Sequence, residues 1–149
     1  ELYAKDLEAN TTMLADIKAH IAANKPCYAE CGGFMYLLER YKDESQSYNW
    51  VGAIEGESAL TKKLTRFGYI HLTAQQDNVL SPAGGKINAH EFHYSDSTNN
   101  GTGYTAQKAS GKGAWECAVV SDTLYAGYPH MHLYGNIEFA KNFIKACCK

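Results

Sequence analysis

The segment Cys27-Tyr28-Ala29-Glu30-Cys31-Gly32-Gly33, running on into Phe34-Met35-Tyr36-Leu37-Leu38-Glu39-Arg40, constrains this chain more than any other. An apolar stretch, a cysteine flanked by glycines and a helix-like apolar run describe a strand that turns sharply into a helix. Such a turn lifts the cysteine sulfur above the end of a sheet. Behind the sulfur lie the unpaired N–H groups and positive dipole end of the helix. Both effects favour thiolate over thiol, and thiolate is the reactive form.

The rest of the chain has to supply a sheet and helices to pack on it. Tyr3 to Asn24 reads as a helix: Met13 or Leu14, Ile17 and Ile21 fall three and four apart, and Asn24-Lys25-Pro26 stops it. Cys27 to Glu30 is a short strand, followed by the elbow and a helix to about Tyr41; Lys42 to Asn49 is a polar loop. Strand patterns follow at Trp50–Ile54, Phe67–Ala74, His90–Ser95, Gly103–Lys108 and Glu116–Val120, separated by turns bearing Gly, Asn or Pro. Asn136 is a good N-cap for a last helix whose stripe is Ala140, Phe143, Ile144 and Cys147. Helices and short strands at both ends around a strand-rich middle predict a three-layer α/β sandwich with a mixed sheet.

At 149 residues the chain fits one domain with a sizeable core. A formal net charge of −2, without a Lys/Arg run, gives no sign of nucleic acid or an anionic membrane as partner. The five cysteines are odd in number and scattered as Cys27, Cys31, Cys117 and the terminal Cys147-Cys148, which does not read as a disulfide framework. Reduced thiols in the cytoplasm are the simpler account. No stretch approaches the roughly 18 apolar residues of a membrane helix, and Glu1 to Asn10 is not a signal peptide.

A cysteine nucleophile needs a base, and there are six histidines to choose from. His20 reads as a surface residue of the first helix, and His71 as a structural residue in mid-strand. In Tyr128-Pro129-His130-Met131-His132-Leu133 the two histidines alternate with apolar residues, so on a strand both point to one face. That strand ends at Gly135-Asn136 and a helix, at the kind of sheet edge where α/β folds bind ligands. His90-Glu91-Phe92-His93-Tyr94-Ser95 holds the second pair. Zinc competes for both pairs, but His90 and His93 are one residue too close for the helical H-E-x-x-H site and lie in a strand pattern. A mixed Cys/His metal site assembled in space stays open as the second reading.

These motifs, in this order, resemble one family. Ala29-Glu30-Cys31-Gly32-Gly33-Phe34-Met35-Tyr36-Leu37 is similar to the nucleophile segment of the cobyrinate a,c-diamide synthases. Phe67-Gly68-Tyr69, His90-Glu91-Phe92-His93-Tyr94-Ser95, Tyr128-Pro129-His130-Met131-His132 and the helix from Asn136 follow as they do in that family. The resemblance spans essentially the whole chain. It implies a flavodoxin-like, class I glutamine amidotransferase-like fold, here a partial, N-terminally truncated glutaminase domain of residues 1–149 without its ATP-dependent synthetase domain.

By the same resemblance Cys31 matches the nucleophile and His130 the histidine that activates it. Gly32 should supply an oxyanion N–H, and Gly33 should keep bulk away from the sulfur. Other class I amidotransferases carry a Glu two positions after the histidine, where this chain has His132. Either Cys31 and His130 work without a third, anionic member, or a carboxylate elsewhere serves, with Glu30 and Glu91 as unranked candidates. His90, Glu91, His93 and Tyr94 either support the cleft and the tetrapyrrole or form a hydrogen-bonded structural strand.

The implied partners are L-glutamine and, through the full-length enzyme, a corrin-type tetrapyrrole, cobyrinate, whose a and c acetate side chains become amides in cobalamin biosynthesis. ATP and Mg²⁺ are expected in the synthetase domain, and no cofactor or metal in this chain. Two other readings compete: a different cysteine hydrolase or peptidase, and a zinc- or redox-responsive Cys/His binding module.

Overall fold

A computed structural model describes residues 1–148. The expected first helix is two: α1 (Ala4–Ala9) and α2 (Thr11–Ala22), broken at Asn10. The Asn10 side chain accepts the Met13 N–H at 3.2 Å, so this residue caps α2 rather than continuing α1. Strand β1 (Cys27–Glu30) then enters the elbow, and α3 (Gly32–Leu37) leaves it.

The chain turns extended at Leu38, earlier than the sequence pattern suggests. β2 (Leu38–Lys42) pairs with β3 (Ser47–Asn49) in the segment expected to be loop, and with β4 (Ile54–Leu60) on its other side. Sheet pairing here overrides the helical spacing of the apolar residues. Tyr41 is the reason: its ring stacks on Trp50 with centroids 4.7 Å apart, a contact available only if the chain folds back.

The middle of the chain forms β5 (Arg66–Ala74), β6 (Lys86–His93), β7 (Ser95–Ser97), β8 (Tyr104–Lys108), β9 (Ala114–Cys117) and β10 (Val119–Val120). Ala118, with φ of 64°, separates the last two, which the sequence reads as one strand. Then come β11 (Leu124–Gly127), β12 (His130–Met131), a 3-10 turn (Leu133–Gly135) and α4 (Ile137–Cys147), capped by Asn136 as expected.

The fold is mixed α/β, with its strands shared among three sheets: β1-β11-β10, β12-β6-β5-β8-β9 and β3-β2-β4-β7. β1 and β11 run parallel, while the large sheet is antiparallel throughout. β11 is buried at every position and separates two cores. Leu124 and Ala126, with Tyr128 just beyond, face Phe34, Met35, Leu38 and Trp50; Tyr125 faces Leu72, Tyr104 and Phe139. Each large side chain so buried contributes about 1.5–3 kcal/mol. Strand alternation thus fixes β11, and with it the parallel neighbour β1 that carries the elbow.

Candidate active site

Cys31 has φ of 49° and ψ of −110°, a left-handed conformation that costs a non-glycine residue about 1–3 kcal/mol. Two backbone bonds hold it there: its N–H donates to Gly127 O at 2.8 Å, and its carbonyl accepts the Met35 N–H at 3.0 Å. Gly127 can come this close because it lacks a side chain; a Cβ there would stand 2.9 Å from Ala118 Cβ. The elbow expected from the sequence is therefore present, clamped between α3 and the end of β11.

The sulfur's electrostatics differ from expectation. Burial pushes the half-buried Cys31 thiol above its ordinary value, and the carboxylates of Glu1, Glu30 and Glu91 push the same way. The Gly32 N–H, bonded toward the sulfur, pulls it down but does not win. A helix of six residues has little dipole to offer against that burial and three anions. Cys31 rests as a thiol, so a base has to take its proton when it attacks.

His130 opens β12, opposite His90 in the antiparallel pairing with β6. Its Nδ1 lies 3.2 Å from His90 O. A carbonyl only accepts, so Nδ1 carries a proton, and Nε2 is the nitrogen through which the ring could act as a general base. The backbone of β6 thus orients this imidazole where a carboxylate was expected. His132 lies beyond the two-residue strand, heads the 3-10 turn, and its N–H donates to Asn88 O at 2.9 Å. The two histidines nonetheless border one cleft of about 540 Å³, together with Tyr69, His71, Asn88 and His90.

Glu30 joins the two halves of the site. Its Oε1 accepts the Met131 N–H at 2.7 Å and the Tyr28 hydroxyl. The residue before the cysteine therefore holds the residue after the histidine, across 101 positions of sequence. Of the two carboxylates the sequence offers, Glu30 is the one in contact with the histidine strand. Glu91 is buried on the other face of β6.

Alternation along β6 sorts the remaining candidates. Glu91 and His93 point inward, and the His93 ring stacks on Tyr128 at 3.9 Å. Tyr94, just past the strand end, is exposed with its ring against Phe92. Tyr94 thus does not join Glu91 and His93. Gly33 also departs from its expected role: a Cβ there would first meet Ala29 Cβ at 3.7 Å, and the residue borders a groove with Ile17, Cys27 and Tyr36 rather than shielding the sulfur.

Among the described residues no group of three or more His, Cys, Asp or Glu side chains is placed to hold a metal ion, and all five cysteines are free. Gly84-Gly85-Lys86 leads into strand β6, not a helix, so it forms no phosphate-binding loop. Among the described residues no helix is long and apolar enough to cross a membrane.

A cysteine elbow tied to a strand-borne histidine in a mixed α/β fold defines a cysteine-centred candidate active site. The family described as a CobB/CobQ-like glutamine amidotransferase domain matches residues 1–137. The chain belongs to that family. Curated relatives include the cobyrinate a,c-diamide synthase of Caldanaerobacter subterraneus subsp. tengcongensis, 39% identical over 99% of this chain and 33% of that protein. The Clostridium tetani protein of the same name is 38% identical over 97% of this chain and 34% of its own length. This chain spans about a third of the curated relatives it matches.

Neither the Gly127 carbonyl nor the His90 carbonyl was foreseeable as a site group, since every residue carries one. Gly127 itself left a faint signal, a glycine just before the histidine segment.

Proposed function

We propose that this chain is the glutamine-hydrolysing domain of an ATP-dependent amide synthase that amidates the a and c acetate side chains of cobyrinate in cobalamin biosynthesis. Its family membership and its cobyrinate a,c-diamide synthase relatives support the reading. The observation that carries the chemistry is the Glu30–Met131 hydrogen bond, which ties the cysteine elbow to the histidine strand.

In this mechanism His130 Nε2 takes the Cys31 proton as sulfur attacks the glutamine side-chain amide. The C–S bond forms, and charge collects on the former carbonyl oxygen, toward which the Gly32 N–H donates; one such donor is worth about 10²–10³ in rate. As the C–N bond breaks, His130 returns the proton to the leaving nitrogen and ammonia departs. Water, deprotonated by His130, then cleaves the thioester to glutamate and restores the thiol.

The ammonia passes to a synthetase domain that uses ATP and Mg²⁺ to activate the tetrapyrrole carboxylates, and both domains work in the cytoplasm. The test is made in the full-length protein. His130→Ala should lower glutamine-driven amidation at least about 10³-fold while amidation driven by added ammonia persists. Loss of both activities would assign His130 a structural role.

A further inference from the structure

The outer face of the large sheet changes character along its length. Ile70, Leu72 and Ala74 of β5 point into the core, so Phe67, Tyr69, His71 and Thr73 stand on the opposite face. Their partners across β6 are Phe92, His90, Asn88 and Lys86 in turn. One end of this face is therefore polar, as a sheet turned to water should be. The other end is aromatic.

Those rings are both exposed and in contact. Phe67 is 61% exposed and Tyr69 76%. Phe67 meets Phe92 and His90 edge-on, each at 5.9 Å between centroids, and Tyr69 meets His90 at 5.1 Å. Phe92 reaches Tyr94 in the same way at 5.8 Å, and both are exposed. Single apolar residues on a surface are ordinary. A joined cluster with a polar rim is the pattern of an interface core.

The position of the patch says what should cover it. Tyr69 and His90 line the same cleft as His130 and His132, so the rings continue one bank of the cleft that holds the proposed base. Ammonia set free in water at neutral pH takes up a proton and loses the lone pair that attacks an activated carboxylate. It keeps that lone pair only if the surfaces around its exit exclude water. This chain covers about a third of its curated relatives, so most of their length lies outside it.

We infer that the face formed by Phe67, Tyr69, Phe92 and Tyr94 is where the ATP-dependent synthetase domain docks, closing water out of the histidine cleft as ammonia is handed over. The inference rests on the proposed glutaminase and synthetase reading, and adds to it the surface that joins the two activities. The aromatic end is the core of the contact; His71, Asn88 and Lys86 belong to its rim.

The test is made in the full-length protein. Hydroxyl-radical labelling, read by mass spectrometry, reports how exposed each ring is. With the domains docked, Phe67 and Tyr69 should react at least about tenfold more slowly than the N-acetyl amides of phenylalanine and tyrosine. Coupling is read as glutamine consumed per amide formed. Phe67→Thr combined with Phe92→Thr removes two rings that do not line the cleft and keeps strand-forming residues. The double variant should consume at least about threefold more glutamine per amide, while amidation driven by added ammonia is unchanged.

Labelling of both rings at the rate of the free amides would overturn the docking face, and so would unchanged coupling in the double variant. Protection lost on dilution would assign the face to a second copy of the protein and overturn it too. Full-length protein that hydrolyses no glutamine, with both rings protected at every dilution, would sink the glutaminase reading and leave the docking face standing.

Discussion

The cysteine half and the histidine half of the site are built in opposite ways. Cys31 sits where consecutive residues put it: β1 leads in, α3 leads out, and its carbonyl bonds to Met35 only four positions on. His130 sits in a strand of two residues, and its contacts come from far away, from His90 O for the ring and Glu30 for the next peptide. One half is a local turn, and the other is a stub held by tertiary structure. The difference teaches that the histidine half depends on distant segments throughout, while the cysteine half depends on its sequence neighbours and on one distant carbonyl, that of Gly127.

The sharpest way to break that contrast is at Glu30, which precedes the cysteine and accepts the Met131 N–H. Glu30→Ala should lower the glutamine turnover number about 10²-fold with little change in KM, the expected effect of moving a base by about an ångström. Glu30→Gln, which keeps an acceptor for the Met131 N–H, should recover most of the loss. A fall in Glu30→Ala seen only as a lower Tm, with turnover intact in the folded fraction, would show that the residue braces the fold and does not position His130.

Gly127 tests the clamp on the cysteine half. A methyl group there would stand 2.9 Å from Ala118 Cβ, so Gly127→Ala should destabilise the chain by about 1–3 kcal/mol in chemical denaturation. Because Gly127 O holds the Cys31 N–H, the same variant should also alter Cys31 alkylation.

The charge around the sulfur gives a smaller, pH-dependent effect. Burial and three carboxylates hold the thiol above its ordinary value, so the rate of Cys31 alkylation by iodoacetamide should still be climbing above pH 9. Removing an anion favours the thiolate. Glu1→Gln should therefore move the profile to lower pH and speed alkylation at pH 7, read by mass spectrometry. A profile levelling off near pH 7 would mean that the short helix outweighs burial.

Gly33 should give the smallest effect. It lies in α3 with φ outside the left-handed region, and a Cβ would make only an ordinary contact with Ala29. Gly33→Ala should leave turnover within about twofold and stabilise the helix by up to about 1 kcal/mol. A large loss of turnover would restore the role in protecting the sulfur that the sequence suggested.

Patterns carried by neighbouring residues were legible before any coordinates. The elbow at Cys31, the strand from Phe67 to Ala74 and the Asn136 cap all stand where the sequence puts them. So does the order of motifs that led to the family. The helix expected to reach Tyr41 failed because Tyr41 finds Trp50 across a sheet, a partner no local window contains. The pairing of His130 with His132 on one strand face failed because the strand stops at Met131.

What the sequence determined by itself was the cysteine and its turn, since the strand, the glycines and the helix that shape it stand in direct succession. Only the tertiary structure decided how the histidine segment is held and which of its neighbours turn inward. It supplied a backbone carbonyl in place of a carboxylate to orient His130, chose Glu30 over Glu91 as the tie, and turned Glu91 and His93 inward while leaving Tyr94 outside. The reason is physical: a carbonyl is common to every residue, and whether a side chain meets a partner depends on strand register and burial, which are settled when distant segments pack.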